Sequence, residues 1–203
     1  MELFIVDDHS MLRNGLKSYL EANSPWTVGG MFGGGAECLL ELKKRRSSAL
    51  SLPDLIIVDI QLAQEDGFVL VGQLKKSFER IKIVMYSMYD TWGFILQAQD
   101  MGVQGYISKV SGDEELLKCL DTVASGGTWY EKKNESIQKE LDSILPVLKK
   151  QEKKILELVL QGRSNKRISE ELFISLHTVE NYVSYLVRIT GCKNRDELQE
   201  KFN

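Results

Sequence analysis

The sequence predicts an α/β domain built on a doubly wound, five-stranded parallel sheet, followed by an all-α module of four helices. Three observations carry that expectation. Over the first 128 or so residues, short apolar runs alternate five times with stretches whose apolar residues recur at helical spacing. The run Leu55-Ile56-Ile57-Val58 is continuously apolar, as a strand covered on both faces should be. From Val147 onward only helical spacing remains. Five β-then-α units joined by right-handed crossovers make a parallel sheet with helices on both faces, and ligands in such folds gather at the carboxyl ends of the strands.

The elements follow in order. Leu3-Phe4-Ile5-Val6 is the first strand and stops at Asp7-Asp8. Residues 11–21 place Leu12, Leu16 and Leu20 on one helical stripe. Residues 26–31 make a second strand, and 37–46 a helix with Cys38, Leu39 and Leu42 inward and the basic end Lys43-Lys44-Arg45-Arg46. The third strand spans 55–58 and a helix spans 69–78. A fourth strand at 81–86 precedes a helix at 91–101 with Phe94, Ile95, Ala98 and Met101. A fifth strand at 104–108 precedes a helix at 113–124 with Leu116, Leu117, Leu120 and Val123, which Gly126-Gly127 breaks. Residues 131–147 are polar, with Ile137, Leu141, Ile144 and Leu145 at helical spacing, and read as a linker helix ending near Pro146. Four helices follow at 151–160, 164–172 with Ser164 as N-cap, 175–189 and 196–202. The expected organisation is a domain over 1–128, a linker helix over 129–146 and a helical domain over 147–203.

The 203 residues are 43% hydrophobic and 27% charged, proportions that exclude disordered, collagen-like and coiled-coil chains. No apolar run approaches 18 residues, and Met1-Glu2-Leu3-Phe4-Ile5-Val6-Asp7-Asp8 lacks the basic start of a signal peptide. These features predict a cytoplasmic protein with no membrane partner. Cys38, Cys119 and Cys192 are odd in number and far apart, so neither a disulfide framework nor a CxxC metal site is present. Each lies at helical apolar spacing and is expected to be a buried thiol. The net charge of −3 hides a split. Residues 1–146 hold 15 basic and 21 acidic side chains, a net of −6, whereas residues 147–203 hold 11 and 8, a net of +3. The acidic average therefore does not exclude a nucleic-acid partner for the helical part.

Chemistry concentrates at the predicted strand ends. Asp7 and Asp8 follow the first strand, Asp59 the third, Ser87 the fourth and Lys109 the fifth. A parallel sheet gathers these ends on one edge, so three carboxylates, a hydroxyl and an ammonium share a cleft. Carboxylates that close repel unless a cation neutralises them, and a hard divalent ion with oxygen ligands, Mg2+ above all, suits the set. A carboxylate beside such an ion is a competent nucleophile toward a phosphoryl group, whose oxygens Lys109 and Ser87 can share with the metal.

Val6-Asp7-Asp8-His9, Val58-Asp59-Ile60, Gly67, Met85-Tyr86-Ser87 and Gly105-Tyr106-Ile107-Ser108-Lys109 resemble the receiver domain of two-component response regulators, a flavodoxin- or CheY-like fold. The string Asp7-Asp8-His9-x-x-x-Arg13-x-Gly15-Leu16 is similar to the NarL/FixJ class. The resemblance implies that Asp59 accepts a phosphoryl group from a sensor histidine kinase. It implies that Asp8 and Asp59, helped by Asp7 and the backbone carbonyl of Gln61, hold Mg2+. Lys109 would pair with the phosphoryl group, Ser87 would move toward its oxygens, and Tyr106 would follow as a switch. His9 would shape the loop. Gln61 and Tyr89 would flank the path of an attacking water. Three departures stand out: Ala63 where the family usually has proline, Val110 where many receivers have proline, and a stretch from Lys43 to Leu52 that reads as a lengthened surface loop.

Residues 164–189 hold a helix, a Phe173-Ile174-Ser175 turn and a second helix, with Ile168, Leu172, Val179 and Leu186 inward. Such a helix-turn-helix pattern is weak evidence alone. The string Gly162-Arg163-Ser164-Asn165-Lys166-x-Ile168-Ser169-x-x-Leu172-Phe173-Ile174-Ser175-x-x-Thr178-Val179-x-Asn181 resembles the LuxR-type DNA-binding domain, and Gly191-Cys192-Lys193-Asn194-Arg195-x-x-Leu198 continues the match. The resemblance implies that Glu180, Asn181 and Ser184 face the groove, with Asn181 on adenine and Glu180 on a cytosine amine. Lys166, Thr178, Tyr182, Arg188 and Lys193 would lie near phosphates. Arg163, Lys193 and Arg195 read equally well as solvated charges. Glu180 stands where the family usually has lysine and Tyr182 where it usually has histidine, which puts affinity and specificity in question.

The expected protein is a transcriptional regulator that is no enzyme, binds promoter double-stranded DNA and forms a homodimer on phosphorylation or on paired half-sites. A haloacid-dehalogenase-type phosphatase would need a second acid where Gln61 stands. Two alternatives stay open: a helical output that binds protein rather than DNA, and a regulator that works without phosphorylation.

Overall fold

A computed structural model describes residues 1–63, 65–130 and 135–202. The apolar runs become β1 (Glu2–Val6), β2 (Thr27–Phe32), β3 (Leu55–Val58), β4 (Lys82–Ser87) and β5 (Gly105–Ser108). The stripes between them become α1 (Ser10–Asn23), α2 (Gly35–Ser47), α3 (Gly67–Ser77), α4 (Trp92–Asp100) and α5 (Asp113–Ala124). A further short strand, β6 (Trp129–Tyr130), corrects the expected count of five. It follows the Gly126-Gly127 break and pairs with Gly105 and Tyr106 at the sheet edge; two residues are too few to show a period in sequence. The sheet runs β2-β1-β3-β4-β5-β6 with every pairing parallel.

Side chains alternate across the sheet. Leu3, Ile5, Leu55, Ile57, Val84, Tyr86 and Ile107 form one buried cluster with Leu16 and Leu20 of α1 and Leu116, Cys119, Leu120 and Val123 of α5. On the opposite face Phe4 packs on Phe32 with centroids 5.2 Å apart, and the Arg45 guanidinium of α2 lies 4.7 Å from the Phe4 centroid. Arg45 also bonds Glu2 at 2.7 Å and Glu41 at 3.2 Å. That anchoring explains why α2 runs through Ser47, into the stretch expected as surface loop, leaving only residues 48–52 outside the helix. Trp26 precedes the second strand rather than opening it; its indole is buried and donates to Asp121 Oδ1 at 3.2 Å.

The chain forms two compact units. One holds Met1–Tyr89 and the segment from Ala98 through β6; the other holds Asp90–Gln97 and the helices from residue 135 onward. Those helices are α6 (Glu135–Ile144), a 3-10 turn over Leu145–Val147, α7 (Lys150–Leu160), α8 (Asn165–Leu172), α9 (Leu176–Ile189) and α10 (Arg195–Lys201). Residues 131–134 of the expected linker helix lie outside the described residues. Leu141 and Ile144 of α6 are buried, and Lys201 Nζ donates to Glu140 Oε1 at 2.5 Å. Ile155, Leu156, Val159, Ile168, Val179, Leu186, Leu198 and Phe202 make the helical core, while Leu172, expected inward, is half-buried. Cys38 and Cys119 are buried helical thiols. Cys192 is not: it is half-buried in the turn between α9 and α10. No helix among the described residues is long and apolar enough to cross a membrane.

Candidate functional site

The sheet ladder carries the residue after each strand onto one edge. Asp7 N–H donates to Phe32 O at 3.1 Å, Asp59 N–H to Val6 O at 2.9 Å and Lys109 N–H to Ser87 O at 2.8 Å. The side chains then meet as the strand-end pattern predicts. Lys109 Nζ lies 2.6 Å from both Asp7 Oδ2 and Asp59 Oδ2, and all three side chains are buried. Burial alone would lower the Lys109 ammonium. The hydrogen bonds to Asp59 and Asp7, and then their charges, outweigh burial and hold it above the ordinary lysine value.

Lys109 satisfies only part of the acidity. Asp59 Oδ1 is buried without a hydrogen-bond partner among the described residues, and so is Asp8 Oδ1, which lies 2.7 Å from His9 Nδ1 but outside hydrogen-bonding geometry. Ligand atoms of Asp7, Asp8, His9 and Asp59 all fall within 4.8 Å of one another. Three carboxylates against one ammonium, with two buried oxygens lacking donors, fit a hard divalent cation. His9 bonds Asp7 Oδ1 through its backbone N–H at 2.7 Å, which shapes the loop, and its exposed ring also enters the acidic cluster. Gln61 sits two residues beyond Asp59, in a turn that pairs Gln61 with Asp66.

Ser87 and Tyr106 meet through Tyr89. Ser87 Oγ accepts from Tyr89 N–H at 3.3 Å, the Tyr106 hydroxyl donates to the Tyr89 carbonyl, and the Tyr89 hydroxyl donates to Gln61 Oε1 at 3.3 Å. Tyr106 and Ser87 are buried, whereas Tyr89 is exposed. One hydrogen-bonded path thus joins the end of β4, the aromatic ring on β5 and the turn after Asp59.

Comparison with known proteins decides the family. Residues 3–121 match the family described as the response regulator receiver domain, and residues 146–201 match the LuxR family of bacterial regulatory proteins. The chain belongs to the response regulators. It is 29% identical over 214 residues to the oxygen regulatory protein NreC of Staphylococcus epidermidis, covering 98% of this chain and 95% of that one. It is 30% identical over 213 residues to NreC of Staphylococcus haemolyticus, with the same coverage of 98% and 95%. Among solved structures, a complex of the two-component response regulator RcsB with DNA aligns with a TM-score of 0.66 at 22% identity, covering 98% of this chain and 96% of that one. RcsB from Salmonella enterica serovar Typhimurium, bound to the promoter P1flhDC with the phosphomimetic BeF3−, aligns with a TM-score of 0.67 at 20% identity and coverage of 98% and 96%. At these identities the structural likeness establishes a shared fold. The two domain types together make this protein a phosphorylation-controlled transcription regulator of the NarL/FixJ type.

The second surface of this response regulator lies on α8 and α9. Ser164 Oγ caps α8 by accepting from Arg167 N–H at 3.2 Å, and Ser175 Oγ caps α9 by accepting from Thr178 N–H at 3.0 Å. Between them Phe173 closes α8 in the left-handed region, at φ 53°, with its ring exposed. Val179, Val183 and Leu186 bury one side of α9, leaving Leu176, His177, Glu180, Asn181, Ser184 and Arg188 exposed along one stripe. Glu180, Asn181, Ser184 and Arg188 are thereby brought together, and Lys166 and Lys193 are exposed. Thr178 is half-buried, its Oγ1 2.7 Å from Ser175 Oγ, and the Tyr182 hydroxyl donates to Gln151 Oε1 at 3.3 Å. Leu176 and His177 are the exposed stripe residues that sequence reasoning left out; for His177, its spacing of three and four from Glu180 and Asn181 was the available signal. Arg195 is half-buried and donates to Asn165 Oδ1 at 3.2 Å, to Gln199 Oε1 at 2.9 Å and to the Arg163 carbonyl, so it ties the module together.

Proposed function

We propose that Asp59 is the phosphoacceptor of this regulator, with a sensor histidine kinase as donor. An Asp59 carboxylate oxygen attacks the phosphorus of a phosphohistidine, the new O–P bond forms as the N–P bond breaks, and the imidazole leaves with the electron pair. The observation that carries this reading is Lys109 bridging Asp7 and Asp59 while Asp59 Oδ1 stays buried without a donor. Asp8 and Asp59, with Asp7 and the Gln61 carbonyl, would hold Mg2+, which supplies charge neutralisation for the transferring group. Lys109 releases Asp7 to pair with the phosphoryl oxygens. Ser87 turns toward the same oxygens, and Tyr106 follows through its bond to the Tyr89 carbonyl. On this reading the chain is a switch and no enzyme. Its expected setting is the cytoplasm.

Tyr89, whose hydroxyl donates to Gln61 Oε1 at 3.3 Å, would flank with Gln61 the path of an attacking water. Tyr89→Ala is expected to shorten the phosphoryl lifetime severalfold, read as decay of the phosphorylated mass; an unchanged lifetime contradicts that role.

We propose further that the receiver spans 1–130, two residues beyond the expected boundary because β6 adds Trp129–Tyr130 to its sheet, with the linker up to 146 and the DNA-binding domain over 147–203. The stripe of Glu180, Asn181 and Ser184 would enter the major groove, with Lys166, Thr178, Tyr182, Arg188 and Lys193 near phosphates and a homodimer spanning two half-sites. Gel-shift assays with promoter fragments test this. Salt-sensitive binding should strengthen on phosphorylation, and Asn181→Ala should weaken it by about 1–3 kcal/mol. Absence of salt-sensitive binding in either phosphorylation state overturns the reading. It would favour an output that binds protein, the alternative to which the exposed acid at Glu180 points.

A further inference from the structure

We propose that Glu65 is a positioning residue for the phosphoacceptor loop: its carboxylate, seated on the first amide of α2, places the turn that carries Gln61 and so sets the cation geometry at Asp59. The inference rests on the reading of Asp59 as a Mg2+-dependent phosphoacceptor.

The turn after β3 is closed on itself. Gly67 N–H donates to Ile60 O at 2.7 Å, Leu62 N–H donates to Glu65 O at 3.2 Å, and Gln61 bridges to Asp66. That closure sets the internal shape of the turn but not where it lies. The Glu65 side chain anchors it, since Oε1 accepts from Gly35 N–H at 2.7 Å, across 30 residues of chain. α2 has use for such an acceptor. Its N-cap is Gly34, which has no side chain to offer, so without Glu65 the amide at its first residue would be an orphan donor at the positive end of the helix dipole.

The seat is tight on the helix side. A Cβ at Gly35 would stand 2.4 Å from Glu65 Oε1 and 3.0 Å from Leu70 Cδ1. The neighbouring Cys38 thiol is pushed up to about 12 by burial and then by the Glu65 charge, so that charge is felt within the first turn of α2. Beside the bond lies a cavity of about 220 Å³ lined by Gly33, Gly34, Leu62, Ala63 and Glu65, so turn and helix face each other across open space there.

The test measures Mg2+ binding directly by isothermal titration calorimetry, where the dissociation constant should shift as the kinetic requirement does, and follows the initial rate of Asp59 phosphorylation by acetyl phosphate against Mg2+ concentration, in the full-length chain. Glu65→Ala should raise the Mg2+ concentration for half-maximal rate about tenfold, with the saturated rate changed by less than about twofold. Gly35→Ala keeps the carboxylate but fills its seat, and should do the same. The double variant should be no worse than either alone, because both break one contact. Glu65→Gln keeps an oxygen acceptor without the charge and should fall between. Thermal unfolding checks that each variant is folded. A wild-type chain that takes no phosphoryl group in the presence of Mg2+ overturns the phosphoacceptor reading itself. A wild-type chain that is phosphorylated, with an unshifted Mg2+ requirement in both Glu65→Ala and Gly35→Ala, overturns the positioning role alone. So does a lowered saturated rate at an unshifted requirement.

Discussion

Lys109→Ala is expected to destabilise the receiver by about 3–5 kcal/mol, because it removes the single ammonium from a buried carboxylate pair. Nζ lies 2.6 Å from Asp7 Oδ2 and from Asp59 Oδ2, and the lysine side chain is 8% exposed, so water cannot replace it easily. The deficit should depend on divalent cation. Added Mg2+ should raise the melting temperature of the variant more than that of the wild type, since the ion takes over the neutralising charge. The pH dependence has a definite sign. The folded-state pKa of Lys109 is raised, by bonds to Asp59 and Asp7 that outweigh burial, so its stabilising contribution is fully present below the ordinary lysine value and is lost as pH rises through the folded one. The stability gap between wild type and variant should therefore stay level from about pH 7 to about pH 9 and narrow only at strongly alkaline pH. A gap that closes below about pH 9 contradicts the paired geometry.

Gly67→Ala is expected to cost about 3 kcal/mol and to slow phosphorylation more than tenfold where the variant still folds. A Cβ there would stand 2.0 Å from the Asp59 carbonyl oxygen, 2.9 Å from its carbon and 3.0 Å from Ile60 Cα. All three are backbone atoms, so no rotamer change relieves the clash, and the shift falls on Asp59, the proposed phosphoacceptor. The same position is held by Gly67 N–H donating to Ile60 O at 2.7 Å and by Asp66, which caps α3 by accepting from Phe68 N–H at 2.8 Å. Urea unfolding and the phosphorylation rate measure the two effects. Gly15→Ala is the control: nothing lies within 4 Å of its Cβ, and in the middle of α1 alanine should be neutral or stabilising by up to about 1 kcal/mol.

Legibility in the sequence followed the range of the forces involved. Strands β1 and β3 were readable because a strand buried on both faces must be continuously apolar, as at Leu55-Ile56-Ile57-Val58, whereas β2 at the sheet edge is mostly half-buried or exposed and carries a weaker signal. The convergence of Asp7, Asp59, Ser87 and Lys109 was readable because parallel strands deliver their ends to one edge. The start of α3 lies two residues before the expected one because the Asp66 cap rather than apolar spacing decides it, and the start of α2 lies two residues early at Gly35. Tertiary contacts left no local trace. The extension of α2 through Ser47 depends on Arg45 reaching Glu2 on β1, and the pairing of Trp129-Tyr130 depends on the open edge of β5. Cys192 looked helical because apolar neighbours precede it, yet Gly191 at φ 70° ends that helix in a turn. The bond between Glu65 and Gly35 joins residues 30 apart through one backbone amide, a contact that no periodicity encodes.

The central claim, a Mg2+-dependent phosphoacceptor at Asp59, is tested most directly by intact mass after incubation with acetyl phosphate. A gain of about 80 Da, one phosphoryl group, should appear with Mg2+, fail without it and vanish in Asp59→Asn. A gain that forms without Mg2+, or that survives Asp59→Asn, contradicts it.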